Sequence, residues 1–233
     1  MTTRLLAFLT GPVAGIALLA CVACPAGAQI ADQTPLELQA YPRFHGPISE
    51  RAALMRPATV SLVNAATPGF GLFLSEDGLI LTSQHVVGDA GTVRVRLING
   101  VELEGRVLRR HAARDVALIK VEGGPTRTLP LRLEPLGISE VVYTLGSPDD
   151  PNLGGSVTRG MIFARQSGEL PILQSDATVY GGGSGGPLLD ASGNIVGIAA
   201  TSMPNPDRST ALNFFIPIDD ALRYLNIRLA QPR

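Results

Sequence analysis

The chain has 233 residues, of which 45% are hydrophobic and 17% charged, and its formal net charge is −1 at pH 7. This composition excludes a disordered chain and provides enough apolar material for a sizeable core. Because lysine and arginine are scattered, with only Arg109 and Arg110 adjacent, the sequence predicts no nucleic-acid partner. The 26 glycines and 18 prolines favour many short strands joined by turns.

Residues 1–28 are typical of a cleavable export signal. Arg4 supplies a positive charge, residues 5–23 form an apolar run with one polar interruption and one Gly-Pro break, and residues 26–28 (Ala-Gly-Ala) offer a small-residue cleavage site. We therefore expect cleavage after Ala28 and a periplasmic or secreted mature protein that does not contact the membrane.

Two alternatives for this segment stay open. The apolar run is nearly long enough to span a membrane, so it would serve as an anchor if it were retained. A lipoprotein attached through Cys21 is the other alternative, although the residues before this cysteine fit the usual lipid-attachment pattern poorly. Cys21 and Cys24 are the only cysteines, so the mature chain is predicted to form no disulfide.

Residues 29–57 contain four prolines and are predicted to form an N-terminal arm with a short helix near residues 49–55. From residue 58 the pattern changes to short β-rich runs separated by turns. Six of them predict a first barrel over about residues 58–122, with strands at 59–64, 69–74, 79–83, 92–98, 102–109 and 116–121. The pair Asn99-Gly100 between two of these runs predicts a hairpin turn of type I′.

Residues 123–136 carry three prolines and are predicted to be a linker. Six further runs predict a second barrel over about residues 137–217, with strands at 141–146, 156–164, 170–174, 187–189, 195–201 and 212–217. Residues 218–227 have helical apolar spacing and two aspartates in the first turn, so they predict a C-terminal helix. The predicted fold is all-β, with two six-stranded antiparallel barrels and a C-terminal helix in one domain over residues 58–226.

Three segments carry candidate chemistry. His85 follows a predicted strand, Asp115 opens another, and Ser184 lies among five glycines in residues 181–186. A serine hydroxyl needs an adjacent base to be nucleophilic at neutral pH, and the imidazole needs a carboxylate to hold its tautomer. Alone, each residue has an ordinary interpretation as a turn or strand-end residue. Their order along the chain, with the serine in the other barrel, favours a catalytic triad.

The sequence resembles the HtrA-type (DegP/DegQ-like) branch of the trypsin-like serine proteases. The matching stretches are GLFLSEDGLILTSQHVV (71–87), DVALIK (115–120), QSDATVYGGGSGGPLL (174–189), GNIVGI (193–198) and NFFIP (213–217). The resemblance implies the chymotrypsin-like fold, with His85 as general base, Asp115 as its orienting acid and Ser184 as nucleophile. It also implies that the backbone N–H groups of Gly182 and Ser184 form the oxyanion hole.

The sequence departs from the family pattern in three places. Tyr180-Gly-Gly-Gly precedes the serine, where the family usually has Asn-Pro-Gly-Asn, so a softer loop and a conditionally ordered oxyanion hole are expected. The chain ends at Arg233, soon after the predicted helix, and so is expected to lack the PDZ domain that HtrA-type proteins commonly carry. Residues 141–155 are compact, so no long regulatory loop is expected.

The resemblance also implies a binding pocket for the P1 side chain, which precedes the cleaved peptide bond. Thr178 stands six residues before the serine, at the base of this pocket, and offers no acid to a P1 lysine or arginine. The candidate pocket wall is formed by Ala199, Ala200 and Thr201. The expected preference is for small or medium aliphatic P1 residues.

Together these features predict a serine endopeptidase that hydrolyses unfolded or exported proteins through an acyl-enzyme on Ser184. The alternative is a low-turnover binding or chaperone-like module. The expected partners are protein or peptide substrates, and the resemblance implies a homotrimer built through the N-terminal arm. Three scattered histidines give no metal-ligand spacing, so no metal or cofactor is expected, and His45 and His111 are predicted to be structural or surface residues.

Overall fold

The computed structural model describes residues 34–63, 65–123, 127–146, 156–203 and 212–230. The predicted signal segment, residues 1–28, lies outside these residues. None of the helices in the described part of the chain is long and apolar enough to cross a membrane.

The first barrel has six antiparallel strands: β2 (Thr59–Val63), β3 (Gly69–Phe73), β4 (Leu79–Thr82), β5 (Thr92–Arg96), β6 (Glu102–His111) and β7 (Val116–Val121). They form a closed sheet in the order β2-β3-β4-β7-β6-β5. The sequence pattern determines which face of a strand lines the barrel, because every second side chain points inward: Val93 and Val95 of β5 are buried, whereas their neighbours are exposed. A one-turn helix, α2 (Gln84–Val87), directly follows β4.

The second barrel has the strands β8 (Val141–Gly146), β9 (Ser156–Gln166), β10 (Ile172–Ser175), β11 (Pro187–Asp190), β12 (Ile195–Met203) and β13 (Leu212–Pro217). They form a closed sheet in the order β10-β13-β12-β11-β8-β9. The helix α3 (Ile218–Tyr224) follows and ends three residues earlier than predicted. The predicted fold class, two six-stranded antiparallel barrels with a C-terminal helix, is confirmed.

A large apolar cluster joins the two barrels. Outward-facing residues of the first barrel, such as Leu81 and Leu118, contact the same cluster as Leu189 and Ile198 of the second barrel. Each barrel also has its own smaller core. The interface between the barrels is therefore a packed hydrophobic layer, which fixes one barrel relative to the other.

The arm and the C-terminal segment close one side of the molecule. Strand β1 (Leu36–Leu38) pairs in parallel with β14 (Ile227–Leu229), which follows α3. Two short 3₁₀ segments (Ile48–Arg51 and Arg56–Ala58) flank the one-turn helix α1 (Ala52–Met55). The N–H of Ile48 donates to the carbonyl of Ala191 at 2.9 Å, which docks the arm on its own second barrel.

The β5–β6 hairpin is present, but the predicted type I′ turn is wrong. The N–H of Gly100 donates to the Leu97 carbonyl at 2.9 Å, and φ is positive at Gly100 but not at Asn99. A type I′ turn requires positive φ at both central residues of a two-residue loop. Because the Leu97 N–H pairs with the Val101 carbonyl, the loop has one residue more and forms a type I turn followed by a left-handed glycine.

Candidate active site

His85 lies in α2, immediately after β4, at the interface between the barrels. The residue before the helix, Ser83, has extended dihedral angles and is fully buried. Its hydroxyl donates to the carbonyl of Ala199 in β12 at 3.2 Å. The segment that carries His85 is therefore attached directly to the second barrel.

Asp115 contacts His85 through both carboxylate oxygens. The distance between His85 Nδ1 and Asp115 Oδ2 is 2.7 Å, and the His85 backbone N–H donates to Asp115 Oδ1 at 2.8 Å. An Nδ1–H that donates to the carboxylate leaves Nε2 as the proton acceptor. This contact is the arrangement that the triad hypothesis requires of a base and its orienting acid.

Ser184 lies at the junction of two consecutive turns. The Gly183 N–H donates to the Tyr180 carbonyl at 2.8 Å, and the Gly186 N–H donates to the Gly183 carbonyl at 3.0 Å. In each turn φ is positive only at the third residue, with +77° at Gly182 and +78° at Gly185. This pattern defines type II turns, in which the third position favours glycine. Two of the five glycines are therefore explained by backbone geometry.

The loop that carries Ser184 packs against the segment that leads to His85. A β-carbon built on Gly185 would lie 2.5 Å from Thr82 Oγ1 and 3.0 Å from the Ser83 nitrogen. On the other side, the N–H of Phe70 donates to the Ser184 carbonyl at 2.8 Å. The loop of the second barrel thus lies directly against β3 and β4 of the first barrel.

The backbone beside Ser184 offers two donors. Within the described residues, the N–H groups of Gly182 and Ser184 have no hydrogen-bond acceptor. The Ser184 hydroxyl lies 3.4 Å from the Ala200 carbonyl, and no hydrogen bond among the described residues joins it to His85. Catalytic hydrogen bonds are often long or poorly aligned before substrate binds, so this resting geometry is compatible with a triad.

One predicted pocket residue, Thr178, precedes the Ser184 loop in the chain, and the other three lie in β12. The side chain of Thr178 is exposed, whereas Ala199 and Ala200 in β12 are buried. Thr178 and Ala199 line a narrow cleft together with Val179 and Tyr180. Thr201 belongs to β12, but its side chain lies outside the described part of the structure.

Two threonines that the sequence did not single out support this region. Thr144 Oγ1 and Thr158 Oγ1 lie 2.9 and 2.8 Å from the Thr178 carbonyl and 2.7 Å from each other. They face each other across β8 and β9. Only the strand register brings them together, and no single motif in the sequence reveals it.

The other candidate residues have structural contacts. His111 Nδ1 accepts the Arg114 N–H at 3.1 Å, and its ring packs on Tyr224 with 4.5 Å between centroids. Among the described residues, no group of three histidine, cysteine, aspartate or glutamate side chains is arranged to hold a metal ion.

Comparison with known proteins shows which family this chain resembles. A family model for the trypsin-like peptidase domain matches residues 69–198. A probable periplasmic serine endoprotease, DegP-like, of Pseudomonas putida (strain W619) is 36% identical over 168 residues, which cover 70% of this chain and 35% of that protein. A protein of the same description from Hahella chejuensis is 33% identical over the same shares. This chain thus spans about a third of the length of these relatives.

Solved protease structures have a similar fold. The serine endoprotease from Yersinia pestis aligns with a TM-score of 0.64 and 28% identity, over 77% of this chain and 68% of that one. The HtrA-type protease AlgW with tripeptide aligns with a TM-score of 0.67 and 26% identity, over 76% of this chain and 62% of that one. The matched domain, the fold and these relatives together show that the chain belongs to the trypsin-like peptidase family, in its HtrA-type branch.

Proposed function

We propose that the protein is a serine endopeptidase that uses Ser184 as nucleophile, His85 as general base and Asp115 as the acid that orients the imidazole. The observation that carries this proposal is the two-point contact between His85 and Asp115, with distances of 2.7 and 2.8 Å. The contact lies against the turn that holds Ser184, because Gly185 packs on Thr82, three residues before His85.

The first half of the proposed reaction forms the acyl-enzyme. The Ser184 hydroxyl rotates from the Ala200 carbonyl toward His85, gives its proton to Nε2 and attacks the substrate carbonyl carbon. The Asp115 carboxylate stabilises the imidazolium that results. The negative charge develops on the substrate oxygen, where the free N–H groups of Gly182 and Ser184 donate to it. Collapse of this intermediate transfers the proton from His85 to the leaving amine.

The second half repeats the steps with water. His85 removes a proton from water, the hydroxide attacks the acyl carbon, and the proton returns to Ser184 as the carboxylate product leaves. The type II turn over Tyr180–Gly183 supports a role in both halves, because it holds the Gly182 N–H without an acceptor of its own. Preorganised donors of this kind usually contribute the largest single part of catalysis.

The proposed substrates are unfolded or exported proteins with a small or medium aliphatic P1 residue. Thr178 supplies no negative charge to a basic P1 side chain, and Ala199 and Ala200 give the candidate wall a small, apolar character. The relatives from Pseudomonas putida and Hahella chejuensis are named as periplasmic, which supports the same compartment for this protein. We also propose a homotrimer through the N-terminal arm, which sedimentation of a fully active monomer would exclude.

A fluorophosphonate probe tests the proposed nucleophile. Purified protein is expected to react at one site, and mass spectrometry should locate the adduct on Ser184. Degradation of unfolded casein should be lost in both His85→Ala and Ser184→Ala, with the folded state checked by circular dichroism. Labelling that persists in Ser184→Ala would remove the assignment. Labelling without measurable casein cleavage would instead favour the low-turnover binding module.

A further inference from the structure

The turn that carries Asp115 has a strained backbone. Asp115 adopts a left-handed conformation with φ of +61°, and its N–H donates to the Ala112 carbonyl at 3.1 Å. Such a conformation is unfavourable for a residue with a β-carbon and persists where surrounding contacts fix it. The contacts that fix this turn therefore also determine where the Asp115 carboxylate lies.

The residue before Asp115 makes several of these contacts. The Arg114 guanidinium is paired through Nε with Asp220 Oδ2 of α3, and Nη2 donates to the Pro171 carbonyl. The two charged side chains are only 3% and 2% exposed. Burial lowers the pKa of Arg114, and the Asp220 carboxylate opposes this effect. Removal of one partner from a pair this deeply buried leaves the other charge uncompensated, so each side chain depends on the other.

Neighbouring residues extend this connection to the surface. Asp220 Oδ1 is paired with Arg223, whose side chain is 61% exposed and lies over the Tyr224 ring. The His111 ring packs on the other side of the network against Tyr224, and the Tyr224 hydroxyl donates to the Glu169 carbonyl at 3.1 Å. The Asp115 turn thus rests on the C-terminal helix at two points, through Arg114 and through His111.

We propose that Arg114 and Asp220 are positioning residues that set the Asp115 carboxylate against His85 from the C-terminal helix. The inference rests on the proposed function, since it assigns the pair a role in aligning that triad. The physical reason is that Asp115 must accept the Nδ1–H and the backbone N–H of His85 at the same time. Both bonds, at 2.7 and 2.8 Å, require the turn to stay in one place. A small displacement of a catalytic group can reduce the rate by about 10²-fold.

The test replaces Asp220 by asparagine, which keeps the shape of the side chain and removes its charge. Asp219→Asn is the matched control, because Asp219 is the exposed neighbour in the same helical turn. Glu140→Gln is the second control, since it breaks the Arg132–Glu140 pair in the second barrel, which does not touch the Asp115 turn. Arg114→Lys and Asp220→Glu keep both charges and serve if Asp220→Asn does not fold.

Two readouts separate positioning from stability. The first is kcat and KM on a peptide substrate well below the unfolding temperature, with a pH profile. The second is the NMR resonance of the His85 Nδ1 proton in a Ser184→Ala background, which a hydrogen bond to a carboxylate moves to low field and which requires no activity. For Asp220→Asn we expect at least a tenfold lower kcat with little change in KM, a shifted acid limb of the pH profile, and a lost or broadened resonance. The charge-keeping variants should give smaller changes in the same direction.

Each outcome has one meaning. If folded Asp220→Asn keeps kcat and the resonance, the positioning role is wrong. If Glu140→Gln or Asp219→Asn loses the resonance equally, the effect is general destabilisation and the proposal is also wrong. If the wild-type protein cleaves nothing but its resonance still depends on Asp220, the positioning pair stands and the proposed function fails.

Discussion

Gly185 lies so close to Thr82 that no side chain fits between them: a β-carbon at position 185 would lie 2.5 Å from Thr82 Oγ1. The same hydroxyl donates to the Phe70 carbonyl at 2.6 Å, so it cannot turn away without losing that bond. The same β-carbon would also overlap the Phe70 carbonyl oxygen, so the loop of Ser184 lies tightly against both β3 and β4.

Gly185→Ala is accordingly expected to destabilise the fold by about 2–4 kcal/mol, from overpacking together with the positive φ. Gly100→Ala is the matched control, because Gly100 has a similar φ of +83° with open space around it. It should cost only about 1–2 kcal/mol. Urea unfolding of both variants measures the difference. Equal losses would show that the close approach of Gly185 to Thr82 and to the Phe70 carbonyl contributes nothing.

Gly182→Ala should affect catalysis more than stability. A β-carbon at this position would meet only Pro68, at 3.7 Å, but φ of +77° is unfavourable for alanine. A turn that changes from type II to type I would rotate the central peptide and move the Gly182 N–H away from the oxyanion. We expect kcat to fall by about 10²–10³-fold, the usual effect of losing one oxyanion donor.

Gly181→Ala is the control for this experiment, since φ is not positive at Gly181 and a β-carbon there meets nothing within 4 Å. It should keep nearly full kcat. If Gly182→Ala also kept full activity, the N–H of residue 182 would have no part in stabilising the oxyanion.

Thr144 and Thr158 should behave as a coupled pair. Either hydroxyl alone can satisfy the Thr178 carbonyl, at 2.9 or 2.8 Å, so Thr144→Val or Thr158→Val is expected to have a small effect. The double variant leaves this carbonyl without either hydroxyl and should cost about 1–3 kcal/mol, more than the sum of the single losses. A double-mutant cycle measured by urea unfolding gives the coupling. Strictly additive losses would contradict shared support of residue 178.

Glu140 provides a pH test of the second barrel. The Arg132 guanidinium donates to both carboxylate oxygens, at 2.7 and 3.0 Å, and these bonds hold the pKa of Glu140 below its usual range. A carboxylate with a lowered folded-state pKa stabilises the fold fully above the unfolded pKa of about 4.3 and loses this effect as the pH falls through the folded value. The unfolding temperature should therefore drop less between pH 6 and acid in Glu140→Gln than in the wild type.

Arg132→Met removes the other partner and should reduce the acid dependence in the same way. Identical acid dependence in the wild type and in both variants would contradict a role for this pair.

The sequence was most informative about features that depend only on residue type and on position along the chain. Two sets of six short β-rich runs separated by turns predicted the barrels, and His85, Asp115 and Ser184 stand in short segments of unusual composition. The structure brings His85 and Asp115 into contact and sets the Ser184 turn beside them. The turn at Asn99-Gly100 was predicted wrongly, because the loop is one residue longer than the dipeptide alone indicates.

Contacts between distant segments could not be predicted. The Thr144–Thr158 pair depends on the register of β8 and β9, and a shift of one residue would separate it. The Arg114–Asp220 pair joins the first barrel to a helix that follows the second. Neither pair has a local sequence pattern, because the residues around each side chain are ordinary. The role of each side chain depends on a partner that is distant in the sequence.

The division of the site between the barrels has a consequence for folding. His85 and Asp115 belong to the first barrel and Ser184 to the second, and the hydrogen bond from Phe70 to the Ser184 carbonyl crosses the boundary. Domain-sized units of a chain generally fold before they dock. A newly synthesised chain would thus hold His85 and Ser184 apart until the last stage of folding. The proposed proteolytic activity would appear only when the protein itself is no longer an unfolded substrate.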